Sequence, residues 1–188
     1  DITGDMSLQA WIKLESQPVS DTDAYRVMSK FGTADNSTFI FQFETTLSGT
    51  REVFQMHTSS GGTTLSSGTI FQDATGWLPN ATFVHLVVVY TASAGTAVVY
   101  KNGVSLGTIS GLATSLFNGT SPFDVGSSGT GGISITVDGL MDKCAIWSKV
   151  LTASEVTDLY NSGDGLPYPL SVAVTTRSKT LNLLGVGQ

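Results

Sequence analysis

The sequence predicts an all-β domain carrying one short helix. Three features carry that expectation: runs that alternate with period two, an Asn-Gly hairpin signal, and a single stretch with helix-capping chemistry. Met6 to Leu14 alternates most cleanly, with Met6, Leu8, Ala10, Ile12 and Leu14 on one face and Ser7, Gln9, Trp11 and Lys13 on the other. Phe39, Phe41 and Phe43, two residues apart, fit one face of a strand and miss helical spacing. Asn102-Gly103 supplies the two positive-φ residues of a type I′ turn between runs at Thr96 to Tyr100 and Val104 to Ile109. The helix is expected near residues 152–162. Thr152 caps its first turn, Glu155 reciprocates three residues on, Val156, Leu159 and Tyr160 share a face, and Gly163 takes the left-handed stop.

In chain order, a polar loop from Glu15 to Asp23 precedes a strand at Tyr25 to Phe31, and a turn over Gly32 to Asn36 precedes the strand at Thr38 to Glu44. Val53 to His57 and Thr69 to Phe71 read as the next two strands, separated by a loop beginning at Gly61-Gly62. Phe83 to Tyr90 is apolar at almost every position, as in a central strand covered on both faces, and it turns at Ala92 to Gly95. Phe123 to Gly126 is a further strand. A Gly-rich loop from Ser127 to Gly132 and a run at Ile133 to Val137 lead into the stretch Val137 to Gly163. There Leu140, Ile146, Trp147, Leu159 and Tyr160 are expected in the core, and Asp138 and Asp142 are expected to bond neighbouring backbone. Residues 1–165 thus form the domain. In the tail, 166–188, Leu170, Val172 and Val174 alternate with Ser171, Ala173 and Thr175, and Thr180 to Leu184 is a second candidate strand. The tail is expected to complete a sheet or to pair with a partner.

A length of 188 residues with 40% hydrophobic content fits one domain with a sizeable core. Only 13% of residues are charged and glycine numbers 21, a balance common in β-sandwich proteins that work outside cells. The formal charge of -6, with nine Lys and Arg scattered along the chain, argues against nucleic acid and anionic membrane surfaces as partners. No run approaches the roughly 18 apolar residues of a spanning helix, so membrane insertion is not expected. Cys144 is the sole cysteine; an internal disulfide is impossible, and its place in an apolar strand predicts a buried small hydrophobe. A first residue of Asp1 suggests a processed chain or an excised domain.

Six segments occur in a telling order: Met6-Ser-Leu-Gln-Ala-Trp-Ile-Lys, Val27-Met-Ser-Lys-Phe-Gly, Phe83-Val-His-Leu-Val-Val-Val-Tyr, Val99-Tyr-Lys-Asn-Gly, Phe123-Asp-Val-Gly, and Asp138-Gly-Leu-Met-Asp-Lys-Cys-Ala-Ile-Trp continuing through Leu151-Thr-Ala-Ser-Glu-Val to Leu159-Tyr. Together they resemble the laminin G-like and pentraxin-like branch of the concanavalin A-like lectin/glucanase superfamily, over roughly Met6 to Gly163. The resemblance implies a two-sheet antiparallel jelly-roll sandwich with a concave face and a short helix at one side. The family's usual strand before Met6 is absent here, and the tail is a candidate for its place. Asp35-Asn36, ahead of Ser37-Thr38-Phe39-Ile40-Phe41, is similar to the Asp-Asn pair with which pentraxins hold calcium, which makes Asp35 and Asn36 the candidate metal ligands. The pattern departs after Gly126, where Ser127-Ser128-Gly129-Thr130 stands in place of the pentraxin Glu-Gln-Asp cluster. A turn role for Asn36 is the alternative.

Catalytic chemistry is not expected. Glucanases of the superfamily carry Glu-x-Asp-x-Glu on one strand because acid and nucleophile must face one sugar, whereas Glu15, Glu44, Glu52 and Glu155 are isolated. The two histidines lie in no Gly-x-Ser-x-Gly or His-Glu-x-x-His context. His85, between Val84 and Leu86, reads as a packed structural residue, and His57 as either a ligand contact or an ordinary strand position. Glycan binding needs an aromatic platform with amide or carboxylate partners. Gln9, Trp11, Gln42, Glu44, Gln55 and His57 occupy the less apolar faces of their strands and are expected on one concave surface, although Trp11 and Trp147 could instead fill the seam between sheets. Trp77, in the loop Gly76-Trp77-Leu78-Pro79-Asn80, supplies the exposed aromatic. The candidate ligand-binding residues are therefore Trp77, Gln42, Gln55 and His57. Three sequons, at Asn36, Asn80 and Asn118, would matter in a glycosylating secretory pathway. These features predict a non-catalytic carbohydrate-binding or adhesion module on an extracellular, cell or virion surface, with a glycan or surface protein as partner. The alternative is a structural interaction domain, such as a virion decoration or fibre component, packed against copies of itself with no glycan ligand.

Overall fold

The computed structural model describes residues 2–17, 24–32, 36–46, 51–72, 78, 81–127 and 136–167. Among the described residues ten strands and one α-helix follow in order: β1 (Met6–Leu14), β2 (Ala24–Lys30), β3 (Phe39–Thr46), β4 (Arg51–Thr58), β5 (Ser66–Gln72), β6 (Val84–Thr91), β7 (Thr96–Lys101), β8 (Val104–Ile109), β9 (Phe123–Val125), β10 (Gly139–Trp147) and α1 (Ala153–Tyr160). They form two five-stranded antiparallel sheets, ordered β10-β1-β6-β7-β8 and β5-β4-β3-β2-β9. The expected all-β sandwich with one helix is what the chain builds.

The period-two pattern decides where the core lies. Leu8, Ala10 and Ile12 of β1, Leu86 and Val88 of β6, and Phe41, Phe43, Phe54 and Met56 of β3 and β4 close over one another between the sheets. Burying one such side chain is worth about 1.5–3 kcal/mol. β6, between β1 and β7, is buried at every position from Val84 to Tyr90. Its Val87 and Val89 point the other way, into a second cluster with Val156 and Leu159 of α1, so the helix covers the outside of this sheet.

Local chemistry fixes the connections. Asn102 and Gly103 adopt φ of 51° and 79° at the β7–β8 turn, as the Asn-Gly signal requires. Both halves of the capping box form at α1: Glu155 N–H donates to Thr152 Oγ1 at 3.2 Å, and Thr152 N–H to Glu155 Oε2 at 2.8 Å. Thr152→Ala should lower stability by about 1 kcal/mol and reduce the melting temperature, with no change if the cap is idle. The left-handed stop falls at Asn161, φ 47°, two residues before the expected Gly163.

Register shifts among the described residues in three strand pairs, and those in β2 and β10 bear on the site and on the sheet edge. In β2, Arg26 opposes Gln42 and Met28 opposes Phe41, leaving Val27 as the extra residue; Arg26 therefore faces outward while Met28 enters the core. In β10, Gln9 opposes Ala145 and Trp11 opposes Asp142, so Lys143, at φ 48°, and Cys144 together face Ala10.

β10 departs from the sequence expectation. Leu140 and Ile146 are 51% and 38% exposed, and Cys144 is exposed, whereas Leu159 is buried as expected and Trp147 and Tyr160 are partly so. Their apolarity suits a covered strand, but β10 is the last strand of its sheet among the described residues. Asp142 accepts from Lys143 N–H at 2.7 Å, the backbone role expected of it, and Asp138 accepts from the Ser16 hydroxyl at 2.5 Å. The opposite edge is shut: a Cβ on Gly68 of β5 would lie 2.2 Å from Ile109 Cγ2 and 2.6 Å from the Ser110 carbonyl oxygen. The expected strand at Ile133 to Val137 falls mostly outside the described residues, and its last two, Thr136 and Val137, are not in a strand. The tail strands, from Leu170 to Leu184, lie wholly outside them.

Candidate functional site

The outer face of the second sheet carries a polar row that crosses four strands. Register places Arg26 of β2 beside Gln42 of β3, Gln42 beside Gln55 of β4, and Gln55 beside Thr69 of β5. One rung away, His57 sits between Ile40 and Ser67. Phe54 and Met56, the alternate residues of β4, are fully buried on the opposite face. Strand alternation therefore sets the site directly against the core.

These side chains form one hydrogen-bonded chain. Gln42 Nε2 donates to Gln55 Oε1 at 2.8 Å, and Gln55 Nε2 donates to Glu44 Oε1 at 2.5 Å. His57 Nε2 lies 3.0 Å from Gln55 Oε1, and His57 Nδ1 lies 2.6 Å from Ser67 Oγ. With Gln55 Oε1 acting as acceptor, His57 carries its proton on Nε2 and its Nδ1 accepts from the Ser67 hydroxyl. Burial first, and then the Arg26 guanidinium, hold the His57 pKa below its ordinary value, which keeps the ring neutral at neutral pH. Protonating His57 would force Ser67 to reverse its hydroxyl.

Arg26 lies with its guanidinium carbon 4.8 Å from the centre of the Phe31 ring. Burial lowers its pKa from the ordinary value, and Asp124 partly offsets that. Neutral amides, a neutral imidazole, a hydroxyl, a carboxylate and a cation thus share one surface. Such a surface has donors and acceptors for hydroxyl-rich ligands.

Three of the four predicted ligand-binding residues, Gln42, Gln55 and His57, are brought together here. Trp77, the fourth, lies outside the described residues. Gln9 and Trp11, expected on the same surface as Gln42, are instead on the outer face of the first sheet. There Trp11, His85 and Tyr160 form a cluster of three rings, with centroids 5.1 Å apart for Trp11 and His85 and 5.9 Å for Tyr160 with each of them. Trp11 therefore fills the seam between sheet and helix, away from the seam between the sheets. His85 is fully buried, as expected, with Nε2 3.1 Å from Gln9 Oε1. Arg26 and Ser67 were not expected in the row. The bulge at Val27 breaks the alternation that would have shown Arg26, and Ser67 is one of two adjacent serines in a weakly patterned strand.

Of the candidate metal ligands, Asp35 lies outside the described residues. Asn36 Oδ1 accepts the backbone N–H groups of Thr120 at 2.6 Å and Ser121 at 3.3 Å, and Asn36 Nδ2 donates to Thr120 Oγ1 at 2.9 Å. A cation on that oxygen would displace two donors. Among the described residues no group of three or more His, Cys, Asp or Glu is gathered.

A family model for the concanavalin A-like lectin/glucanases superfamily, Laminin_G_3, matches residues 1–157. The chain belongs to that superfamily, a laminin G-like member whose sandwich is described above. No match was found among curated proteins. Solved structures share the fold at low identity. A heptameric SAP-like pentraxin from Limulus polyphemus is 16% identical, with a TM-score of 0.61 over 84% of this chain and 70% of that one. The CBM40 of the Ruminococcus gnavus IT-sialidase, bound to alpha2,3 sialyllactose, is 11% identical, with a TM-score of 0.61 over 84% and 83%. A botulinum neurotoxin type C structure, from work on its interaction with two ganglioside molecules, is 18% identical, with a TM-score of 0.57 over 85% of this chain; this chain spans only 36% of that one.

Proposed function

We propose that the chain is a non-catalytic glycan-binding module that acts outside cells, with the outer face of the second sheet as its binding surface. The observation that carries this reading is the cross-strand chain from Gln42 through Gln55 to His57 and Ser67. It is an ordered array of neutral donors and acceptors. Hydroxyl groups can enter such an array by replacing water, with little desolvation of charge. Glu44 joins the array through Gln55, and no pair of carboxylates at the fixed separation that glycoside hydrolysis needs is part of the chain from Gln42 to Ser67. Solved relatives in complex with sialyllactose and with ganglioside-binding activity in their descriptions support the class of ligand. No described helix is long and apolar enough to cross a membrane.

A glycan array of the wild-type chain, run with calcium and with EDTA, tests the proposal. Gln55→Ala removes the residue that joins Gln42, Glu44 and His57, and should weaken binding about tenfold or more while leaving the fold intact. Signal that persists in EDTA assigns recognition to the polar row. Signal lost in EDTA brings calcium, through Asp35 and Asn36, into the site. No glycan signal from the wild type, together with stable oligomers in light scattering, would favour a self-assembling structural domain on a virion or fibre. The heptameric pentraxin and the open edge at β10 favour that second reading.

A further inference from the structure

The sandwich is shut along one edge and open along the other. β9 and β10 are the last strands of their sheets on the same side, each with an unpaired edge among the described residues. Between them runs an apolar groove lined by Met28, Phe123, Val125, Cys144, Ala145 and Ile146. Ile146 opposes the core residue Leu8, and so faces between the sheets, yet it is 38% exposed; Phe123 and Val125 are 42% and 43% exposed. These are core-type residues facing water, beside backbone groups that can template another strand.

The chain itself delivers an occupant to this edge. Beyond α1, the Asp164 carbonyl accepts from Lys143 Nζ at 2.7 Å, and Gly165 packs against Lys143 and Trp11. Gly165 therefore lies over the outer side of β1 and β10, and Leu166, which packs beneath α1, is among the last described residues. Residues 168–188 follow, which leaves 21 residues for the groove. At about 3.3 Å per residue, the five residues from Gly165 to Leu170 span about 16 Å against a sandwich roughly 10 Å thick, so Leu170 is within reach of the groove. Leu170, Val172 and Val174 alternate with Ser171, Ala173 and Thr175, and no charge occurs from 170 to 176.

We infer that residues 170–176 add as a strand along the free edge of β10, with Leu170, Val172 and Val174 filling the groove between β9 and β10. The added strand satisfies the edge of β10 and covers Cys144, Ile146, Phe123 and Val125. It explains why β10 is apolar at positions that the ten described strands leave exposed. A segment of the same chain is the occupant, since tethering next to the groove gives it a high effective concentration that a second copy lacks.

Cys144, the sole cysteine and a lining residue of the groove, reports on occupancy. In the full chain it should be alkylated at least tenfold more slowly than in a Val172→Asp, Val174→Asp double variant that keeps its far-ultraviolet circular dichroism. Both proteins carry the same thiol in the same strand, so their ratio reads how far the tail shields it, through access and through the thiolate fraction alike. Independently, mild oxidation of Val172→Cys or Val174→Cys should give a monomeric disulfide with Cys144, whereas Ser171→Cys, pointing away, should not. Equal alkylation rates, or equal trapping at all three tail positions, overturn the inference. Disulfide-linked dimers in place of monomers overturn it too, and assign the edge to a second copy.

Discussion

Phe54→Ala is expected to destabilise the chain by about 3–5 kcal/mol, read as a fall in the urea midpoint, because it empties space that no neighbour can refill. The Phe54 ring is fully buried between Phe41 and Phe43, with centroids 6.0 Å from each. Close packing there leaves a cavity where the ring stood. Gln55→Ala, one residue along β4, should cost far less stability and act on ligand binding, because its side chain faces the other way. The pair therefore separates core from site on a single strand. A loss below about 1 kcal/mol for Phe54→Ala would mean that the two sheets are not packed through that cluster.

The second large effect is a loss of stability in mild acid through His85. Burial first, and then the nearby Lys143 charge, lower its pKa from 6.5 to about 4. The ring is fully buried in its stack with Trp11 and Tyr160; Nε2 faces Gln9 Oε1, and Nδ1 has no partner to donate to. Above about pH 6.5 the ring is neutral in the folded and the unfolded chain, and it adds no pH dependence. As pH falls from about 6.5 to about 4, only the unfolded chain takes the proton, so folding stability falls. Below about 4 both states are protonated and this loss is complete. At about 1.4 kcal/mol per pKa unit, the full effect is about 3 kcal/mol. His57 shifts in the same direction and adds to the loss. Urea unfolding at neutral pH and at about pH 4.5 should show a steep decline for the wild type and a flatter one for His85→Gln. Equal declines in the two proteins would sink the assignment to His85.

Much of the fold was legible because alternation is a short-range signal. Met6 to Leu14 and the three phenylalanines of β3 each report their face through neighbours two residues away, and the Asn102-Gly103 turn and the Thr152 capping box act within four residues. Position within a sheet is a long-range property. Nothing inside Leu140 to Ile146 distinguishes an edge strand from a covered one, so apolarity alone places Leu140, Ile146 and Cys144 in the core although the described strands leave them exposed. In the candidate site, Gln42, Gln55 and His57 were legible as polar members of alternating strands. Arg26 was not, because a bulge is set by pairing across strands. Trp11 was misplaced for a related reason: alternation gives the face of a strand, but the helix that covers that face is brought there from 150 residues downstream.

The bulge at Val27 makes the chemistry of the outer face a matter of phase. Arg26 joins the polar row, and Met28 joins the core, because one extra residue separates them. Were Val27 to pair in regular register opposite Gln42, the guanidinium would turn toward the hydrophobic interior opposite Phe43, and Tyr25 would turn outward opposite Glu44. An aliphatic side chain would take the place of the cation beside Gln42, with every other strand unchanged. The chemistry of this surface thus hangs on the backbone conformation of a single residue, whose change would leave composition and sheet order untouched.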